Sequence, residues 1–105
     1  MRSRSAAIAV LAATAQSACA GNISDAEALA IVRHHCVMCH ARKPTHESFQ
    51  EAPKDITLES VADVKQHAGT IYTQTVQTKA MPLGNQTTMT DDERHALGRW
   101  LKEIP

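Results

Sequence analysis

A chain of 105 residues has room for one domain at most, and with 11 basic against 11 acidic side chains it offers no obvious electrostatic surface for nucleic acid or anionic membrane. Aromatics make up 3% of the chain, as Phe49, Tyr72 and Trp100 alone. So little bulky apolar surface rarely sustains a small fold unaided, which points to a cofactor as a further source of apolar mass.

Residues 1–20 read as an export signal. Arg2 and Arg4 form a basic start, residues 6–15 (AAIAVLAATA) an apolar run too short to span a bilayer, and Ala18-Cys19-Ala20 a small-residue cleavage site. A frayed amino-terminal helix is the bland alternative. Cleavage removes two of the basic residues and no acidic one, so the remaining domain, residues 21–105, is mildly acidic and lies outside the cytoplasm. Cys19 offers a second course, in which cleavage ahead of it and acylation on it anchor the protein to lipid. Residues 15–18 (AQSA) lack the apolar residue such a site carries three positions upstream.

Three helices are expected in residues 21–105. The first opens on Ser24-Asp25-Ala26-Glu27, a capping box, and carries Leu29, Val32 and Cys36 on one face with Ala28, Ile31 and His35 on the next. A loop from Ala41 to about Thr57 holds Pro44 and Pro53. The second helix starts at Ser60, with Asp63 as capping acid, and runs to about Thr78 on the stripe Val61, Val64, Ala68, Ile71 and Thr75. Gly69 weakens it and Pro82 keeps Met81 out of it. The third opens on a second capping box, Thr90 to Glu93, with Met89 as its staple and Leu97, Trp100 and Leu101 as its buried face. No stretch alternates as a strand would, so the fold class is all-α with long loops.

Cys36-Val37-Met38-Cys39-His40 is the segment with chemistry in it. A structural zinc site wants four ligands in two spaced pairs, and no second pair exists. A thioredoxin-like dithiol wants a strand-to-helix setting, and a plain disulfide leaves His40 unexplained. Covalent haem uses all three residues: two thiols bonded to the two vinyl groups, and His40 beneath the iron. A sixth ligand of methionine type comes from Met81 or Met89, since Met38 lies inside the attachment loop and Met1 in the signal. Met81, in the Met-Pro loop, is favoured because Met89 already has a packing role; His67 is the outside candidate for a second histidine. His34, His35, His46 and His95 read as surface or haem-edge groups.

The order of helix, C-x-x-C-H, long loop, helix, Met-Pro loop and amphipathic last helix resembles a class I cytochrome c over residues 21–105. The resemblance implies a small helical fold around one haem c, with Ala28 and Trp100 where the first and last helices cross. It also implies a proline carbonyl accepting the Nδ1 proton of His40, with Pro53 the better match and Pro44 the second. Residues 35–60, 70–90 and 93–101 are similar to the carboxy-terminal cytochrome c domain of bacterial membrane-bound urate oxidases (urate hydroxylases), notably in KAMPLGN and PTH. Those enzymes carry a multi-span membrane domain where this chain has an export signal. Urate chemistry therefore enters only through a partner, and no urate-binding residue is assigned.

The expected activity is that of a periplasmic single-haem electron carrier, not an enzyme, serving redox partners such as a respiratory component or a urate oxidase. The alternative is a ligand-binding or weakly peroxidatic haem domain with a labile sixth position. Leu58, Ile71, Leu83 and Leu97 are the candidates for an apolar crevice. Arg42, Lys43, Lys54 and Lys79 flank it and read either as a docking patch for an acidic partner or as ordinary solvated charges.

Overall fold

The computed structural model describes residues 22–105; the expected export signal and Cys19 fall outside them. The described residues form helices and turns with no strand. Helix α1 spans Asp25–His35 and opens as its sequence dictates. Ser24 Oγ accepts from the Glu27 N–H (3.1 Å), and Glu27 Oε1 accepts from the Ser24 N–H (2.9 Å). The last helix, α4, spans Asp91–Lys102 and repeats the device with Thr90 and Glu93. Reciprocal capping satisfies two donors that the first turn of a helix otherwise leaves unpaired.

The middle of the chain departs from the expected single helix. Helix α2 is Val61–Gln66, helix α3 is Ala68–Ile71, and Tyr72–Gln77 continues as a wide π-type turn ending at Thr78. The break lies at His67 (φ −111°, ψ 21°), whose N–H bonds back to Val64 in a tightened turn. Gly69, two residues on, has nothing within 4 Å of a would-be Cβ, so neither intrinsic preference nor packing holds a straight helix there. The apolar stripe survives the break: Val64, Ile71 and Thr75 are buried, Val61 and Ala68 half-buried. Asp63 accepts from the N–H of Glu59 (3.0 Å) rather than of Ser60.

Helices α1 and α4 meet through one core in which Ala28, Val32, Leu97, Trp100 and Leu101 are buried with Val64, Ile71, Leu58 and Met89. Trp100 Nε1 donates to Asp25 Oδ1 (3.0 Å), tying the end of α4 to the start of α1. Gly98 allows α4 to approach the wide turn: a Cβ there would stand 3.1 Å from Val76 Cγ2. Burial of each large aliphatic side chain contributes about 1.5–3 kcal/mol, and Val32 and Leu97 are fully buried. No helix among the described residues is long and apolar enough to cross a membrane.

Candidate functional site

Helix α1 ends by presenting Cys36. Its N–H closes the last helical bond on Val32 O (2.8 Å), and its own carbonyl then accepts from the N–H groups of Cys39 (3.2 Å) and His40 (2.8 Å). This tight turn brings Cys36, Cys39 and His40 to the wall of one cavity. His40 is held on both sides of its Cα: Leu58 N–H donates to its carbonyl (2.8 Å), and its Nδ1 donates to Ile56 O (2.9 Å). With the proton on Nδ1, the lone pair is on Nε2, so that nitrogen is the one able to act as a ligand.

Two mostly apolar chambers, of about 390 and 330 Å³, share Cys36, His40, Pro53 and Met81 as walls. Met38, Phe49 and Leu83 line the first chamber; Leu58, Ile71 and His67 line the second. Met89 borders neither and is 5% exposed in the core, as its packing role requires. Met38 does line the first chamber, together with Cys36, Cys39 and His40.

Three expectations need correction. The acceptor of the His40 proton is Ile56, not Pro53 or Pro44. Pro53 opens a 3₁₀ turn over Pro53–Asp55 and its carbonyl is taken by the Ile56 N–H (3.1 Å), so the carbonyl three residues later reaches His40. Pro53 itself remains a wall of both chambers. Leu97 lies in the core and lines neither chamber. His35 is no surface group: it is 4% exposed, lines the first chamber, and bonds Glu93 Oε2 through Nε2 (3.0 Å) with Thr87 Oγ1 2.7 Å from Nδ1. His46 also borders that chamber, and its Nε2 lies 3.1 Å from Gln86 Oε1, whereas His34 and His95 are exposed.

The electrostatics argue against the competing uses of the cysteines. Burial, and then the neighbouring Cys39, push the Cys36 thiol up to about 12; burial also raises Cys39. A dithiol built for exchange is tuned in the other direction, toward thiolate. Both cysteines are free thiols. Among the described residues no three His, Cys, Asp or Glu side chains converge as a four-ligand zinc site requires. The donors that do converge are the His40 imidazole, the Met81 thioether and the Cys36 thiol on the shared wall, with the Cys39 thiol beside them in the first chamber, all in mostly apolar surroundings. That set fits a haem held through sulfur with nitrogen and thioether axial ligands. Of the basic candidates, Arg42 pairs with Glu59 (3.4 Å) and Lys79 with Asp91 (3.6 Å), while Lys43 and Lys54 are exposed.

One residue was missed altogether. Arg94, 6% exposed, donates through Nη1 to the carbonyls of Thr75 (2.7 Å) and Met81 (2.8 Å). The signal was present: Arg94 stands at helical spacing from Leu97, Gly98 and Leu101, on the buried stripe of α4. The same test finds His35, seven residues after Ala28 and three after Val32. No family model, curated protein or solved structure matches this chain.

Proposed function

We propose that the protein is a periplasmic electron carrier of the class I cytochrome c fold, holding one haem c through Cys36 and Cys39 with His40 and Met81 as axial ligands. The observation that carries this reading is the position of Cys36, His40 and Met81 on the common wall of two apolar chambers. The bound group supplies one-electron chemistry.

The chain supplies the rest. The Ile56 carbonyl fixes the tautomer and orientation of His40 and raises its basicity as a ligand. Leu58, Ile71, Phe49 and Leu83 keep water from the site, which with a thioether ligand raises the reduction potential relative to two histidines. Leu83, 51% exposed at the mouth of the first chamber, and Lys54 at the second are where a redox partner approaches. The resemblance to urate oxidase cytochrome domains makes a membrane urate oxidase or a respiratory component the candidate partner. Acylation of Cys19 would hold the carrier at the membrane.

Mass spectrometry and absorption spectroscopy of the exported protein test the reading. A mass increased by one haem, resistant to acid extraction, with a low-spin spectrum is expected. A colourless, compact protein would sink it. A high-spin haem that takes up carbon monoxide at neutral pH would replace the carrier with a ligand-binding or peroxidatic domain.

A further inference from the structure

Helix α4 carries its basic side chains in two ways. Arg99 and Lys102 are exposed, whereas Arg94 is buried with its guanidinium between the wide turn and the Met81 loop. A buried guanidinium is unfavourable unless its donors are matched, so its position reflects what it bonds. Nη1 reaches two carbonyls at once, 2.7 Å from Thr75 and 2.8 Å from Met81.

Both main-chain polar groups of Met81 are thereby held. Its N–H donates to Gln74 O (2.9 Å) in the wide turn, and its carbonyl accepts from Arg94. The widening of the helix matters here: its end at Thr78 leaves the Gln74 carbonyl for Met81, beside the Thr75 carbonyl taken by Arg94. Further along the same loop, Asn85 clasps Met89 through its N–H (2.8 Å) and carbonyl (3.2 Å), and Thr87 meets His35. None of those bonds acts on Met81 itself.

We infer that Arg94 is the positioning residue of the sixth ligand: its bridge between Thr75 and Met81 keeps the thioether directed at the site and so shuts out competing ligands. This rests on Met81 being that ligand. With the Met81 N–H and carbonyl both fixed, the side chain has only its own rotamers to explore. Without the guanidinium, the carbonyl end of the residue is free to turn, and conformations with the thioether withdrawn gain population. An exogenous ligand binds only those conformations, so its apparent affinity rises in proportion to them.

The test is an imidazole titration of the ferric holoprotein, comparing wild type with Arg94→Gln, Arg94→Lys, Met81→Ala and Leu101→Ala. Arg94→Gln is expected to bind imidazole roughly tenfold more tightly while keeping its covalent haem, and to weaken the long-wavelength thioether-to-iron band. Arg94→Lys, which retains charge and a donor, falls between it and wild type, and supplies the measurement if the glutamine variant loses haem. Leu101→Ala, equally buried on α4 but remote in sequence from the bridge, lowers stability and leaves imidazole affinity within about twofold of wild type. The inference is overturned if Arg94 variants bind imidazole as wild type does while Met81→Ala binds it tightly. It is overturned equally if Leu101→Ala tightens binding as much as Arg94→Gln. If Met81→Ala itself leaves binding unchanged, the ligand assignment fails first and takes this role with it.

Discussion

The imidazole of His40 donates through Nδ1 to the carbonyl of Ile56, 2.9 Å away across a loop of fifteen intervening residues. Two left-handed residues make this possible. Lys54 (φ 55°) and Asp55 (φ 57°) turn the chain sharply after Pro53, so that Ile56 returns beside His40. Lys54→Gly should therefore hold or raise stability, because glycine adopts that conformation freely. Lys54→Val should lower it by about 1–2 kcal/mol. Urea unfolding of the holoprotein measures both, and a valine variant as stable as the glycine one would contradict the strained turn.

Met81 and Met89, one on the chamber wall and one in the core, should part company on substitution. Met81→Ala removes the thioether from the chamber wall and should yield a high-spin haem with little change in fold. Met89→Ala empties a core position, costing about 2–5 kcal/mol, and should leave the spectrum unchanged. The reverse pattern would assign the ligand to Met89.

Two helical glycines should respond with opposite signs. Gly69→Ala adds a methyl group to open space and should stabilise by up to about 1 kcal/mol. Gly98→Ala sets a methyl 3.1 Å from Val76 Cγ2 and 3.5 Å from Tyr72 Cε2, where α4 presses on the wide turn. A loss of about 1–3 kcal/mol is expected from such overpacking. Thermal melts of the pair decide it, and equal shifts would deny the close approach.

Acid should loosen both capped helices. The backbone N–H of Ser24, and then its hydroxyl, hold Glu27 below the ordinary carboxyl value of 4.5. Partial burial raises Glu93, but the Thr90 backbone N–H and the His35 contact outweigh it and lower this carboxyl too. A carboxyl depressed by folding stabilises in full above its unfolded value and loses that contribution as pH falls through the folded one. Stability should thus decline as pH drops below about 4.5. Glu93→Gln should flatten part of that decline; an unchanged acid limb in both Glu27→Gln and Glu93→Gln would remove the caps from the account.

The pattern of short-range signals carried the elements further than it carried the site. Both capping boxes, the apolar stripe of α4 and the end of the middle segment at Thr78 were readable because each depends on residues within one or two turns of each other. Cys36, Cys39 and His40 were readable for the same reason: adjacent positions on one tight turn must share a wall. The break at His67 was not, since Gly69 only lowers the preference for helix and does not say where the chain turns.

What the amino-acid order determined alone was an all-α chain with a Cys-Cys-His turn at the end of its first helix and a methionine loop ahead of its last. The tertiary structure decided which carbonyl receives the His40 proton, that His35 turns inward to Glu93, and that Arg94 lies beneath Met81. Helical spacing marks His35 and Arg94 as inward-facing, but each of these bonds joins groups separated by many residues, and on the partner spacing is silent. Only the competition among buried polar atoms for a limited set of partners settles which of them meet.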